Sequence, residues 1–204
     1  MDSDGDAPLP ELFRAIASRD SDRVSRLLQG CPRLFTAGSQ RSEGLLSEIP
    51  HQFYVGDTAL HVAAAAFWPA LTSQLLQGGA DVAAANRRGA QPLHYAVDGI
   101  PGSSSWDPSA QVEVLSRLLV HGADPNAQDK NGTTPLHRAV RNRCSAAVAR
   151  LLEAGADPSL ANRRGSSVRQ LAQWSTGRGG SGLPAAKAEQ EKIVALLGLS
   201  DAAE

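Results

Sequence analysis

The chain lacks the features of a disulfide-stabilised or membrane-bound protein. Only two cysteines, Cys31 and Cys144, occur among its 204 residues, and their spacing matches neither a disulfide framework nor a zinc site, which predicts two reduced thiols. No apolar run of about 18 residues occurs, and the acidic first residues contain no apolar core, so the sequence predicts neither a membrane span nor a signal peptide. We therefore expect a cytoplasmic protein with no membrane partner.

An excess of charge of one sign is also missing, and aromatic residues are scarce. Twenty lysines and arginines face 21 aspartates and glutamates, for a formal net charge of -1, which disfavours a nucleic-acid partner. Aromatic residues make up 4% of a chain that is 42% hydrophobic, so the core must be built from alanine, leucine and valine. Such small side chains let helices approach one another closely.

What the chain does contain is a repeated segment. Residues 56–63, 89–96 and 132–139 each begin with glycine, carry Leu-His in the middle and end with alanine. The spacing between motif glycines is 33 residues from Gly56 to Gly89 and from Gly132 to Gly165, whereas an insertion of 10 residues lengthens it to 43 from Gly89 to Gly132. Degenerate forms of the same segment lie near each end of the chain, which indicates five units in all.

The motif Thr-Pro-Leu-His-x-Ala at this period resembles the ankyrin repeat family over almost the whole chain. The resemblance implies an all-α solenoid of about five helix-turn-helix repeats, with β-hairpin fingers standing nearly at right angles to the helix pairs. We expect one repeat domain over residues 9–198, with units at about 9–30, 56–80, 89–123, 132–156 and 165–198. Insertions are expected at about 31–55, 99–108 and 176–184, and flexible ends at 1–8 and 199–204.

Helix signals recur within the units. Thr58 and Thr134 are expected to be N-caps, and Pro92 and Pro135 to occupy the first helical position, where no N–H is needed. Glycines at 79, 122 and 155 are expected to end the second helices in the left-handed conformation. In the fourth unit, the pattern predicts helices over about 135–142 and 145–154.

The insertions differ in composition. The segment 31–55 replaces the first finger and contains Leu34, Ile49 and Phe53, so we expect it to pack onto the array; a floppy linker is the alternative. The other two insertions are rich in Gly, Ser and Pro and are expected to be loops. Within the second, Trp106 is expected either to pack under its own loop or to form a second contact point.

Two patterns suggest chemistry, and neither is convincing. His61, His94 and His137 recur in register, but equivalent positions in stacked units lie roughly 8–10 Å apart, too far to share a metal ion. We expect each imidazole to hydrogen-bond to the helix cap and the finger backbone instead. Residues 177–182 match G-x-G-x-x-G, but a predicted helix precedes them where a dinucleotide site needs a strand. We expect no enzyme, no cofactor and no metal.

The family resemblance carries a partner-binding role to the finger tips and the exposed side of each first helix. Six of the residues at these positions are cationic and two are anionic. The predicted contacts are Tyr54, Asp57, Arg87, Arg88, Asp98, Lys130, Asn131, Arg141, Asn142, Arg163, Arg164 and Trp174. We expect a surface that binds an acidic peptide or protein, although charges on finger tips are often merely solvated.

The expected function is therefore that of a non-catalytic protein–protein interaction module, a scaffold or adaptor, which is a monomer on its own. One alternative is a regulatory subunit or enzyme with a ligand pocket under the 31–55 insertion, where Glu43, Glu48 and His51 supply the nearby polar groups. Another is nucleic-acid binding by the basic tips, which the charge balance disfavours.

Overall fold

A computed structural model of the protein describes residues 8–41, 44–46, 49–103, 106–173 and 184–199. Trp174 and the 177–182 segment lie outside the described residues, as do Glu43 and Glu48. A 3₁₀ helix spans Pro32–Phe35, and two strands span Gly44–Leu46 (β1) and Ile49–Phe53 (β2). The helices are α1 Pro8–Ala17, α2 Ser21–Gly30, α3 Ala59–Ala65, α4 Pro69–Gln77, α5 Pro92–Tyr95, α6 Pro108–Val120, α7 Pro135–Arg141, α8 Ser145–Glu153, α9 Val168–Gln173 and α10 Pro184–Leu196.

The helices form five pairs that stack in chain order. The first helices contact one another in the series α1, α3, α5, α7, α9, and the second helices α4, α6, α8 and α10 form a parallel series. This arrangement confirms the predicted all-α solenoid. None of the described helices is long and apolar enough to cross a membrane.

Motif residues explain why the units stack closely. The motif leucines Leu60, Leu93 and Leu136 are completely buried, and so are the closing alanines of the same three segments. Alanine at that position leaves room for the neighbouring first helix, which packs against it. Buried leucines or alanines from each of the five units belong to one continuous hydrophobic core.

The predicted helix signals are confirmed. Thr58 and Thr134 are N-caps with extended backbone, and Pro92 and Pro135 are the first residues of α5 and α7. The glycines at 79, 122 and 155 have φ values of 88°, 91° and 88°, as expected for left-handed helix ends. Helices α7 and α8 each end one residue before the predicted limit.

The fingers are tight turns without extended strands, and in the fifth unit an isolated antiparallel bridge joins Ala161 and Ser167. In the third unit, Asn86 N–H donates to the Ala90 carbonyl over 3.0 Å and closes the turn. The fourth and fifth units repeat this bond from Asp129 to Thr133 and from Asn162 to Ser166. One backbone hydrogen bond also joins each finger to the next, running from Arg87, Lys130 and Arg163 to carbonyls of the preceding finger at 2.7–2.9 Å.

Each motif glycine allows adjacent fingers to approach. Gly56, Gly89 and Gly132 have φ values of 89°, 74° and 70°, which strongly favour glycine. A Cβ atom on any of them would lie 2.9–3.0 Å from a backbone atom of the following finger. Gly165 keeps a positive φ of 76°, but no atom lies within 4 Å of such a Cβ. The first three glycines therefore meet a conformational and a steric requirement, and the last meets only the first.

The 31–55 insertion packs onto the array in its described residues. Leu34, Ile49 and Phe53 are buried in the core, as predicted, and a floppy linker is excluded for them. Strands β1 and β2 pair antiparallel, and the Phe53 ring lies 6.1 Å from the rings of both Phe13 and Tyr95. The insertion therefore places a β-hairpin against the first helices of units one to three.

Candidate functional site

The motif histidines have structural roles. His61 Nδ1 accepts from the Thr58 N–H over 3.1 Å, which leaves Nε2–H to donate to the Ala90 carbonyl in the next finger over 3.1 Å. The same pair of bonds recurs at His94 and His137, with the carbonyls of the following units at 3.0 and 3.1 Å. The predicted bonds to the cap and the finger backbone are confirmed, and each imidazole links one unit to the next.

Burial lowers the pKa of all three histidines. The pKa of His94 falls to about 4, because burial and the nearby Arg138 outweigh its bond to the Thr133 carbonyl. The pKa values of His61 and His137 also lie below the ordinary value, again mainly through burial. The imidazoles are therefore neutral at pH 7, the state in which Nδ1 can accept the cap hydrogen bond.

Asp57 is not a surface residue, and its predicted place among the partner contacts is corrected. Its side chain is completely buried and carries three hydrogen bonds. The Tyr95 hydroxyl and the Tyr54 N–H donate to Oδ2 over 2.8 and 2.6 Å, and the Asn86 amide donates to Oδ1 over 2.8 Å. A buried carboxylate needs such donors to replace its lost hydration, so Asp57 is a structural residue of the core.

A polar side chain closes each finger, which the sequence analysis did not recognise. Asn86 Oδ1 accepts from the Arg88 and Ala90 backbone N–H groups over 2.8 and 3.1 Å. Asp129 and Asn162 make the equivalent pair of bonds in the next two fingers. These three residues each lie three positions before a motif glycine, a spacing that could have revealed them.

The carboxylate of Asp98 contacts three other side chains within the array. Its carboxylate contacts Arg138 Nη1 at 3.3 Å and His51 Nδ1 at 3.1 Å, and it accepts from the Asn142 amide over 2.8 Å. Burial alone would raise the pKa of Asp98, but Arg138 and His51 outweigh it and keep the pKa at about 2. The other side of the Arg138 guanidinium contacts Asp129 at 3.3 Å. Arg138, which the sequence analysis missed, thus bridges two carboxylates.

The six cations of the predicted surface are all exposed. They comprise Arg87, Arg88, Lys130, Arg141, Arg163 and Arg164. Arg88 is held against Tyr54: its guanidinium lies 4.7 Å from the Tyr54 ring centre and donates to the Tyr54 hydroxyl over 2.8 Å. Asn131 is exposed, and Tyr54 and Asn142 are half-buried.

A concave space of about 490 Å³ lies between the fingers and the first helices. We call it the polar groove; its lining residues include Tyr54, Arg88, Asn131, Arg138, Arg141 and Asn142. His51 and Asp98 lie at one end of this groove. The structure therefore brings together Tyr54, Arg88, Asp98, Asn131, Arg141 and Asn142 of the predicted set, whereas Arg87, Lys130, Arg163 and Arg164 lie on tips that do not line it.

A smaller space of about 240 Å³ adjoins the polar groove. We call it the apolar cleft; its apolar lining is Ala17, Ile49, Ala65, Ala66, Phe67, Ile100 and Trp106. The two spaces share His51, Asp98, Gly99 and Ile100. Trp106 packs against Gly99 within its own loop and donates to the Gln111 side chain over 3.0 Å, so it packs as predicted and still faces the apolar cleft.

The polar groups proposed for a pocket under the insertion are only partly described. His51 contacts Asp98 and lies 4.0 Å from the Tyr95 ring, between the polar groove and the apolar cleft. In the described part of the chain, no three His, Cys, Asp or Glu residues are arranged to hold a metal ion. The contact between His51 and Asp98 joins the insertion to the third unit of the array.

Comparison with known proteins agrees with this architecture. A family model described as ankyrin repeat matches residues 55–87 and 88–130, and one described as ankyrin repeats in many copies matches residues 118–172. Together the matches span residues 55–172, more than half of the chain. No curated protein matches the sequence. With its stacked helix pairs and its repeated motif, the chain belongs to the ankyrin repeat family.

Proposed function

We propose that this protein is a non-catalytic binding module that recognises an acidic segment of a protein partner in the polar groove. Ankyrin repeats are generally protein–protein interaction modules and are typically non-catalytic. The observation that carries the proposal is the distribution of charge. All six cations of the predicted surface are exposed, whereas the carboxylates of Asp57 and Asp129 are buried and that of Asp98 is paired with Arg138.

The charge balance of the polar groove favours an anionic ligand. The carboxylates of Asp98 and Asp129 carry one more charge than the Arg138 guanidinium that they contact, which leaves a net negative charge. Arg88 and Arg141, which also line the groove, make the net charge of the five side chains positive. The four cations on the adjoining tips add to the positive field that an approaching partner meets. An arginine guanidinium binds a carboxylate through two parallel hydrogen bonds, which makes Arg88 and Arg141 the main anchors of the proposed contact.

Preorganisation strengthens this assignment. Arg88 is held against Tyr54 before any ligand arrives, and its finger is hydrogen-bonded to the fingers on both sides. Binding therefore costs less side-chain and loop entropy than it would on a mobile surface. A partner held mainly by exposed arginines should also bind more weakly as the salt concentration rises.

Affinity capture from native lysate with charge-matched variants tests the proposal. The groove variant is Arg88→Glu with Arg141→Glu, and the tip variant is Arg87→Glu with Arg163→Glu. The control is Arg14→Glu with Arg26→Glu, two exposed arginines of the first unit. Proteins captured by wild type and control should be lost with the groove variant and reduced with the tip variant, with thermal unfolding nearly unchanged.

Two outcomes would contradict the proposal. Full retention of the captured proteins by both the groove and the tip variants would move the binding surface away from the fingers. Binding of a generic DNA duplex at moderate salt, lost with the tip variant, would identify a nucleic acid instead of a protein as the partner.

A further inference from the structure

The apolar cleft is built jointly by the two insertions and by the regular units. Ile49 comes from the 31–55 insertion, and Ile100 and Trp106 come from the 99–108 insertion. The regular units contribute Ala17 and Arg19 of the first unit, Ala65, Ala66 and Phe67 of the second, and Asp98 of the third. The repeat fold alone therefore does not produce this space, because the insertions supply part of its lining.

The lining of the cleft combines apolar side chains with the polar residues Arg19, His51, Asp98 and Ser103. Phe67 and Ile49 are almost completely buried, whereas Ile100 is 42% exposed and is one of three large hydrophobic residues of the described chain with that much exposure. Arg19 already uses its guanidinium to donate to the Ala66 and Phe67 carbonyls and to cover the Trp68 ring. The cleft therefore offers apolar contact and one partly exposed anchor.

The size of the cleft suits a single side chain. An engineered apolar cavity of about 150 Å³ binds benzene, and sites for drug-sized ligands start at about 300 Å³. A space of about 240 Å³ lies between these sizes and has room for one large aliphatic or aromatic side chain.

Because the apolar cleft is continuous with the polar groove, the side chain in the cleft is expected to belong to the partner segment that binds in the groove. Four residues line both spaces, so the group that occupies the apolar cleft lies next to the group that occupies the polar groove. We propose that the two insertions form a specificity pocket for a large apolar side chain, which lies within a few residues of the acidic residue in the same partner segment. This inference rests on the proposed function and adds to it the second element of the recognised motif.

Selection from a phage-displayed library of random linear peptides tests the inference. Wild-type protein should enrich peptides with Asp or Glu at a fixed short separation from Leu, Ile, Met or Phe. Replacing that apolar residue by Ser in an enriched peptide should weaken binding about ten- to hundredfold, the effect of exposing one large side chain again. Replacing the acidic residue by its amide should weaken binding to wild type but not to Arg88→Gln with Arg141→Gln.

Variants of the cleft complete a double-mutant cycle. Ile100→Ser removes the exposed anchor, and Ala66→Leu narrows the cleft from the other wall. Val120→Ser is the matched control, because Val120 is 79% exposed on α6 and lies outside both spaces. On Ile100→Ser, the loss caused by the peptide's apolar-to-Ser change should shrink to less than about twofold, whereas Val120→Ser should leave it unchanged.

The inference is overturned if no peptide is enriched, if the enriched peptides lack the apolar residue, or if the cycle shows no coupling to Ile100. Self-association that Ile100→Ser abolishes would overturn it as well, because a second copy of the chain would then fill the cleft. Lysate capture reports on the proposed function separately. If the groove variant loses its captured proteins while Ile100→Ser and Ala66→Leu keep them, the proposed function stands without the specificity pocket.

Discussion

The Tyr95 hydroxyl donates a hydrogen bond of 2.8 Å to the Asp57 carboxylate, and both side chains are buried in the array. Tyr95 belongs to the third unit and Asp57 to the second, so the bond joins two neighbouring units. Burial and the adjacent Asp57 raise the pKa of Tyr95, so the phenol stays protonated and remains a donor. The pair is one of the polar contacts that fix how these units sit against each other.

Tyr95→Phe should lower the free energy of unfolding by about 1–3 kcal/mol, because Asp57 loses one of its donors in a site that water does not reach. Tyr54→Phe is the matched control: the Tyr54 hydroxyl bonds only to exposed side chains, so its loss should change stability by less than about 0.5 kcal/mol. Urea unfolding followed by far-UV circular dichroism measures both. Equal effects of the two changes would contradict the role assigned to the Tyr95 bond.

Gly132→Ala should destabilise the protein more than Gly165→Ala does. Both glycines have positive φ, so each change costs about 1–2 kcal/mol for placing a Cβ in the left-handed region. At Gly132 the Cβ would also lie 3.0 Å from the Arg163 backbone nitrogen, whereas at Gly165 no atom is within 4 Å. The difference in unfolding midpoint between the two variants isolates the packing of one finger on the next. If the two variants unfold alike, close approach contributes nothing measurable.

Stability should fall as the pH drops from about 6.5 toward 4. The motif histidines are neutral in the folded protein, with the pKa of His94 at about 4, whereas the unfolded chain protonates them near pH 6.5. Below pH 6.5 the unfolded state therefore binds more protons, and each such histidine costs about 1.4 kcal/mol per pH unit until its folded pKa is reached.

Urea midpoints measured between pH 8 and pH 5 check this dependence. His94→Gln should reduce the slope of stability against pH, whatever it does to stability at pH 7. His121→Gln is the control, because His121 is exposed and its ring contacts the Arg117 carbonyl of its own helix rather than another unit. An unchanged slope in His94→Gln would show that other groups cause the acid sensitivity.

The repeated motif was sufficient to predict most of the local structure. Helix caps, first-turn prolines and left-handed glycines follow from residue type and spacing, because they depend on the backbone within one unit. The position of Asp57 could not be predicted in this way. Its burial depends on Tyr95 and Asn86 of the next unit, and no periodicity in the sequence records that contact.

The exposed residues of the candidate site were predictable from the sequence, whereas the part-buried Arg138 was not. Arg88, Asn131 and Arg141 follow from the register, since exposed positions repeat with the units. Arg138 was missed because it lies inside the motif, whose repeated residues are structural. It occupies the position between His and Ala, where the other units have Val62 and Tyr95. The variation at this position was the signal that could have found it, because Tyr95 and Arg138 both line the polar groove.

The hairpin of the 31–55 insertion makes the two directions along the proposed binding surface different. In a plain stack of repeats, a bound segment would meet the same kind of lining in either orientation. Here β2 sets His51 against Tyr95 and Asp98, and His51 lines both the polar groove and the apolar cleft. The cleft also takes lining residues from the first two units, so apolar surface adjoins the groove on that side. The segment that we propose would therefore bind in one orientation, with its apolar side chain toward the first unit.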